Sequence, residues 1–128
     1  MIRRTFDAVE VNEILNIPEV RRNIGGEGAL DATALLDDRR NICLMGNGGG
    51  AFFAWRGPKV YEGHSFFKVK GRAAIRLGRE IMEQMDGNVV WGLTPEHLKH
   101  VRWFNRKIGF ASHGMMDTPE GRCELFVR

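Results

Sequence analysis

Apolar positions along the chain change their spacing several times, and each change marks an element. After an extended start over residues 2–5, Asp7 offers a side-chain oxygen to cap a helix carrying Val11, Ile14 and Leu15 on one face. Pro18 interrupts that helix and starts a second short one through Ile24. The run Gly25-Gly26-Glu27-Gly28 predicts a flexible joint, after which Asp31 caps a third brief helix ending near Asp38. Residues 41–45, 51–56 and 59–67 then read as three successive strands rich in Ile, Phe, Trp and Val. Asn47-Gly48-Gly49-Gly50 supplies the positive φ angles of the first reversal and Gly57-Pro58 makes the second, which predicts an antiparallel meander.

Over residues 72–85 the helical period returns. Ala74, Leu77, Gly78, Ile81, Met82 and Met85 form one stripe, with Arg76, Arg79, Glu80 and Glu83 left to water, so this helix must pack on a sheet. A strand over residues 88–93 follows Asp86-Gly87 and must lie parallel to the strand before the helix. Thr94 is expected to cap a second long helix with Pro95 in its first turn and Gly109 at its end. Residues 111–116 and 122–127 form a closing hairpin around residues 117–121. The order predicts one domain over residues 1–128, an α+β sandwich with a mixed central sheet.

Composition narrows this picture only a little. A formal net charge of +3 is mildly basic, which suits a phosphorylated ligand as well as nucleic acid. Lys99, His100, Arg102, Trp103, Arg106 and Lys107 crowd one helix, but no base-reading motif accompanies them, and solvated charge is the preferred reading over nucleic-acid binding. Cys43 and Cys123 sit in apolar, strand-like runs without the clustered spacing of a disulfide framework or a metal site, so both are expected to be buried, reduced thiols. No apolar run approaches the roughly 20 residues that span a bilayer, and the first residues lack the apolar stretch of a signal peptide. These features predict no membrane association and a cytoplasmic site of action.

Candidate chemistry gathers between residues 60 and 85. A strand there runs into a basic glycine turn that opens directly into a helix, and the first amides of a helix lack partners and carry partial positive charge. Gly71 allows close approach of an anion, and Lys68, Lys70 and Arg72 surround it with charge. Just upstream, strand alternation sends Glu62 and His64 to the same face, a candidate pair in which the imidazole takes a proton and the carboxylate orients it or accepts the proton through water.

The pattern Lys68-x-x-Gly71-x-Ala73, followed later by Lys107-Ile108-Gly109-Phe110, resembles the GNAT acyltransferase superfamily. In that family a pyrophosphate loop reads Arg/Gln-x-x-Gly-x-Gly/Ala, so Lys68 departs from it by losing a planar fork. The resemblance implies a mostly antiparallel mixed sheet with helices on both faces and two parallel strands that splay apart, here those ending near Phe67 and Leu93. It implies acetyl-CoA, or another acyl-CoA, with its pantetheine arm in the notch, its diphosphate on the amides of Lys70 to Ala74 with Val69 contributing, and cofactor contacts over Phe67, Lys68, Val69, Lys70, Gly71, Arg72, Ala73 and Ala74. The activity implied is N-acyl transfer by direct attack of a small-molecule or peptide amine in a ternary complex, with Glu62 and His64 assisting deprotonation. The family commonly places a tyrosine four residues before the terminal Gly-Phe pair as proton donor; this chain has Asn105, which can hydrogen-bond coenzyme or substrate without acting as an acid. That departure keeps a second reading open, a catalytically inactive binding or virion-associated protein on the same scaffold. Glu62-Gly63-His64 and Lys70-Gly71-Arg72-Ala73-Ala74 are similar to small GNAT-like proteins encoded by phages and prophages, whose setting would be the bacterial host's cytoplasm, and homodimerisation is left open.

Overall fold

The structure, a computed structural model, describes Met1–Arg128. Its elements follow the order β1 (Arg3–Arg4), α1 (Ala8–Leu15), α2 (Pro18–Arg21), α3 (Thr33–Asp37), β2 (Ile42–Gly46), β3 (Gly49–Gly57), β4 (Val60–Phe67), α4 (Gly71–Glu83), β5 (Val89–Pro95), α5 (Lys99–Lys107), β6 (Ala111–Thr118) and β7 (Gly121–Val127). All seven strands join one sheet in the order β1-β2-β3-β4-β5-β7-β6, antiparallel everywhere except between β4 and β5. The α+β class and the mixed sheet are therefore as the apolar pattern predicts.

Alternation along the strands divides the core in two. Cys43, Met45, Phe52, Ala54 and Phe66 point to one face, where α1, α2 and α3 cover them with Val11, Val20, Ala32 and Leu36. Leu44, Ala51, Phe53 and Val90 point to the other, against Leu77, Ile81, Met82 and Met85 of the α4 segment and Ile108 at the end of α5. Phe53 and Phe126 are each 1% exposed; burying a side chain of that size stabilises by about 1.5–3 kcal/mol. Every buried side-chain nitrogen and oxygen has a hydrogen-bond partner. No helix is long and apolar enough to cross a membrane.

Asp7 caps α1 as its position predicts, accepting from the amides of Val9 and Glu10. Two other starts differ. Asp31 accepts from the Thr33 amide and hydroxyl, but the residue at the helix boundary is Ala32, one position later. Thr94 and Pro95 do not open a helix: both lie in β5, opposite Glu124 and Cys123 of β7, and α5 begins only at Lys99, with no side-chain cap on Leu98. Strand pairing with β7 takes over residues that the capping pattern assigns to the helix, and proline ends the strand where its missing N–H costs least.

The glycine hairpin between β2 and β3 serves the site through close packing. A Cβ on Gly49, whose φ is +145°, would lie 2.6 Å from the Phe66 carbonyl oxygen and 2.8 Å from the Phe67 Cα. The backbone of β4 can therefore run directly against the turn, and the Gly48 carbonyl accepts from the amides of Lys68 and Val69 at 3.0 and 3.3 Å. The hairpin thus fixes the chain immediately before α4.

Candidate active site

The strands β4 and β5 pair only over Val60, Tyr61 and Glu62, opposite Val89, Val90 and Trp91. The next residues are Gly63 and Gly92, and a Cβ on Gly92 would lie 3.3 Å from the Gly63 carbonyl oxygen. Beyond this close contact the ladder stops, although β4 continues to Phe67 and β5 to Pro95. A notch opens there, edged by backbone groups of both strands. Phe67, half-buried on the α4 side, meets Phe104 of α5 edge to face with ring centroids 5.4 Å apart.

At the head of the notch α4 begins without a side-chain cap. Gly71, its first residue, has a φ of +62°, and a Cβ built on it would meet nothing within 4 Å. No amide of residues 70–74 donates to a backbone group outside the regular elements. Lys68, Lys70, Arg72 and Ala73 are exposed, and none of the three basic side chains is paired with a carboxylate. Ala74 is buried, turning the helix onto the sheet. Free donors, positive dipole and unpaired cations at one open point are what an anion requires. Lys68 and Val69 take a different part from residues 70–74, since Gly48 already occupies their amides.

Glu62 and His64 lie on the face covered by α1, α2 and α3, and the structure brings them together: His64 Nε2 is 2.7 Å from Glu62 Oε2. The other carboxylate oxygen accepts from Arg56 Nε at 3.2 Å and Nη2 at 3.0 Å. Arg56 is a site residue that sequence reasoning missed, although alternation from Ala54, which pairs with Glu62, was a signal for it; it sits at the bulge between Trp55 and Gly57. An ionised carboxylate only accepts, so in the neutral imidazole the proton sits on Nε2 toward Glu62 and the other ring nitrogen of His64 carries the lone pair. The imidazole is more than half exposed, open to an incoming group.

Asn105 is half-buried and donates from Nδ2 to Thr94 Oγ1 at 2.9 Å, tying α5 to β5 beside the notch. Tyr61 packs on the α4 side, across the sheet from His64. On that side Glu124 of β7 is buried and clamped by Arg102 Nε at 2.7 Å and by Arg106, both from α5. Burial pushes its carboxyl up, but the Ser112 hydroxyl and the two guanidinium groups outweigh that and hold it below the usual carboxylate range. No group of three or more His, Cys, Asp or Glu residues is placed to hold a metal ion.

Over its whole length the chain superposes on aminoglycoside acetyltransferase AAC(6')-Ib in complex with coenzyme A and kanamycin, with a TM-score of 0.76, 16% identity, and coverage of 100% of this chain and 93% of that one. The chain has the GNAT fold. A variant of spermidine N-acetyltransferase SpeG from Vibrio cholerae shares that fold at a TM-score of 0.74 and 9% identity, covering 100% of this chain and 92% of the other. AAC(6')-Ib in complex with paromomycin and acetyl-CoA superposes with a TM-score of 0.77 at 16% identity, covering 100% and 92%. No protein-family model matches the sequence. No curated protein matches it either. The GNAT likeness is thus carried by the seven-stranded sheet and its single parallel pair.

Proposed function

We propose that the protein is an acyl-coenzyme A-dependent N-acyltransferase that acts on an amine by direct attack in a ternary complex. The observation that carries this reading is the strand divergence at Gly63 and Gly92 beside the uncapped start of α4. It is supported by a fold whose solved neighbours include complexes with coenzyme A and acetyl-CoA. Acetyl-CoA, or another acyl-CoA, supplies the acyl thioester.

The amides of residues 71–74 bind the diphosphate, with Lys68, Lys70 and Arg72 adding charge. The free backbone edges of β4 and β5 hold the pantetheine arm. Arg56 keeps Glu62 in place, Glu62 orients His64 through Nε2, and the remaining ring nitrogen of His64 accepts the amine's proton. The amine nitrogen forms the new C–N bond as the C–S bond breaks, and the leaving thiolate takes its proton from water, because Asn105 has no acidic proton to give. Buried, unpaired Cys43 and Cys123 support a reducing, cytoplasmic setting.

A thiol-release assay with acetyl-CoA across a panel of single and multiple amines tests the reading. Amine-dependent release of free coenzyme A is expected. Saturable coenzyme A binding with no release from any amine would instead assign the non-catalytic alternative, which the lack of an acidic proton on Asn105 favours.

A further inference from the structure

The face of the sheet that carries Glu62 and His64 continues beyond β4 without a helix over it. Glu62 pairs in register with Trp91, and the odd residues of β5 share its face. Leu93 pairs with Leu125 of β7, and Met116 of β6 pairs with Cys123, so these side chains line the same surface. The apolar cluster under α1, α2 and α3 draws its strand residues from β2, β3 and β4 alone. Val89, Leu93 and Met116 consequently stand 46%, 39% and 44% exposed, with Trp91 and Leu125 half-buried between them.

Charge on this surface is scarce. From β4 across to β6, its titratable side chains are Glu62, His64, the buried thiol of Cys123 and His113, which alternates with Ala111 at the bulge opposite Leu125 and brings no anion; Glu124, Asp117 and Arg122 belong to the opposite face by register. The one carboxylate is already shared between Arg56 and His64. An acceptor bearing several ammonium groups would therefore lose hydration with no anion to replace it, whereas an apolar body would cover surface that water now meets.

We propose that the acceptor is a single amine on an uncharged apolar body, such as an amino-acid amide or a peptide N-terminus with an apolar first residue, seated on Trp91, Leu93 and Met116 beside His64. The assignment of this surface to an acceptor rests on the acyltransferase reading above, but binding of such an amine does not require coenzyme. Methyl-labelled NMR of the full chain, titrated separately with L-phenylalaninamide, spermidine and kanamycin, tests it.

Phenylalaninamide is expected to move the Leu93 and Met116 methyl resonances saturably, with spermidine and kanamycin at least about tenfold weaker. Met116→Glu should weaken phenylalaninamide by about tenfold while leaving coenzyme A binding unchanged, and Leu93→Glu should weaken phenylalaninamide by a similar factor. Polyamines binding as tightly as phenylalaninamide, or phenylalaninamide leaving both methyls unmoved, would overturn the proposal. Failure of coenzyme A to bind would count against the acyltransferase reading alone.

Discussion

Gly71 combines two requirements that only glycine meets together: a left-handed backbone at the first residue of a helix and open space where a side chain would point. Replacing it separates them. Gly71→Ala should cost about 1–2 kcal/mol of stability from the left-handed conformation alone, read as a lowered unfolding midpoint. Gly71→Glu pays the same strain and adds a negative charge, so its coenzyme A affinity should fall about tenfold below that of the alanine variant. Equal affinities for the two variants would remove residues 70–74 from the anion site. His64→Ala should lower kcat with little change in coenzyme A affinity, because the imidazole faces the acceptor side; unchanged turnover would exclude it as the base. The Glu62 and His64 juxtaposition was legible because alternation alone puts residues two apart on one face. Arg56 was harder to read, since its contact depends on how a bulged hairpin brings β3 beside β4.

Between elements, the least legible boundary was the one between β5 and α5. Thr94-Pro95 is a good helix start by local preference, yet pairing with Glu124 and Cys123 extends the strand through both, and the Thr94 hydroxyl instead receives the Asn105 amide. The helices also carry the main ionic lock of the sheet. Glu124 has a folded pKa below its ordinary value, so its contribution is fully present above the unfolded carboxylate value and is lost as pH falls through the folded one. Stability measured by thermal unfolding should therefore decline on acidification below about pH 4.3, the ordinary glutamate value, and Glu124→Gln should flatten that decline. The same variant should cost about 1–3 kcal/mol at neutral pH by removing charged acceptors from Arg102 and Arg106. An unaltered acid profile in the glutamine variant would show that other carboxylates control it. The glycine hairpin was legible as a reversal. Its second role, holding the amides of Lys68 and Val69 through one carbonyl, depends on tertiary approach and leaves no mark on local spacing.

For the whole molecule, the two-sided core and the element order follow from where apolar residues recur, because burial on one face or both imposes that recurrence. The notch does not follow in the same way. It is a stretch where two neighbouring backbones stop pairing, and backbone edges can be offered by almost any side chains; only Gly63 and Gly92, facing each other where the strands part, hint at it. This also explains how the same GNAT fold spans neighbours of 9–16% identity with no family model matching the sequence. The central claim is that the open start of α4 and the adjoining notch together hold an acyl-coenzyme A, and a backbone amide NMR titration with coenzyme A measures it most directly. The account predicts saturable shifts concentrated at residues 70–74 and along Gly63–Phe67 and Gly92–Pro95; no saturable binding, or shifts confined to other surfaces, would contradict it.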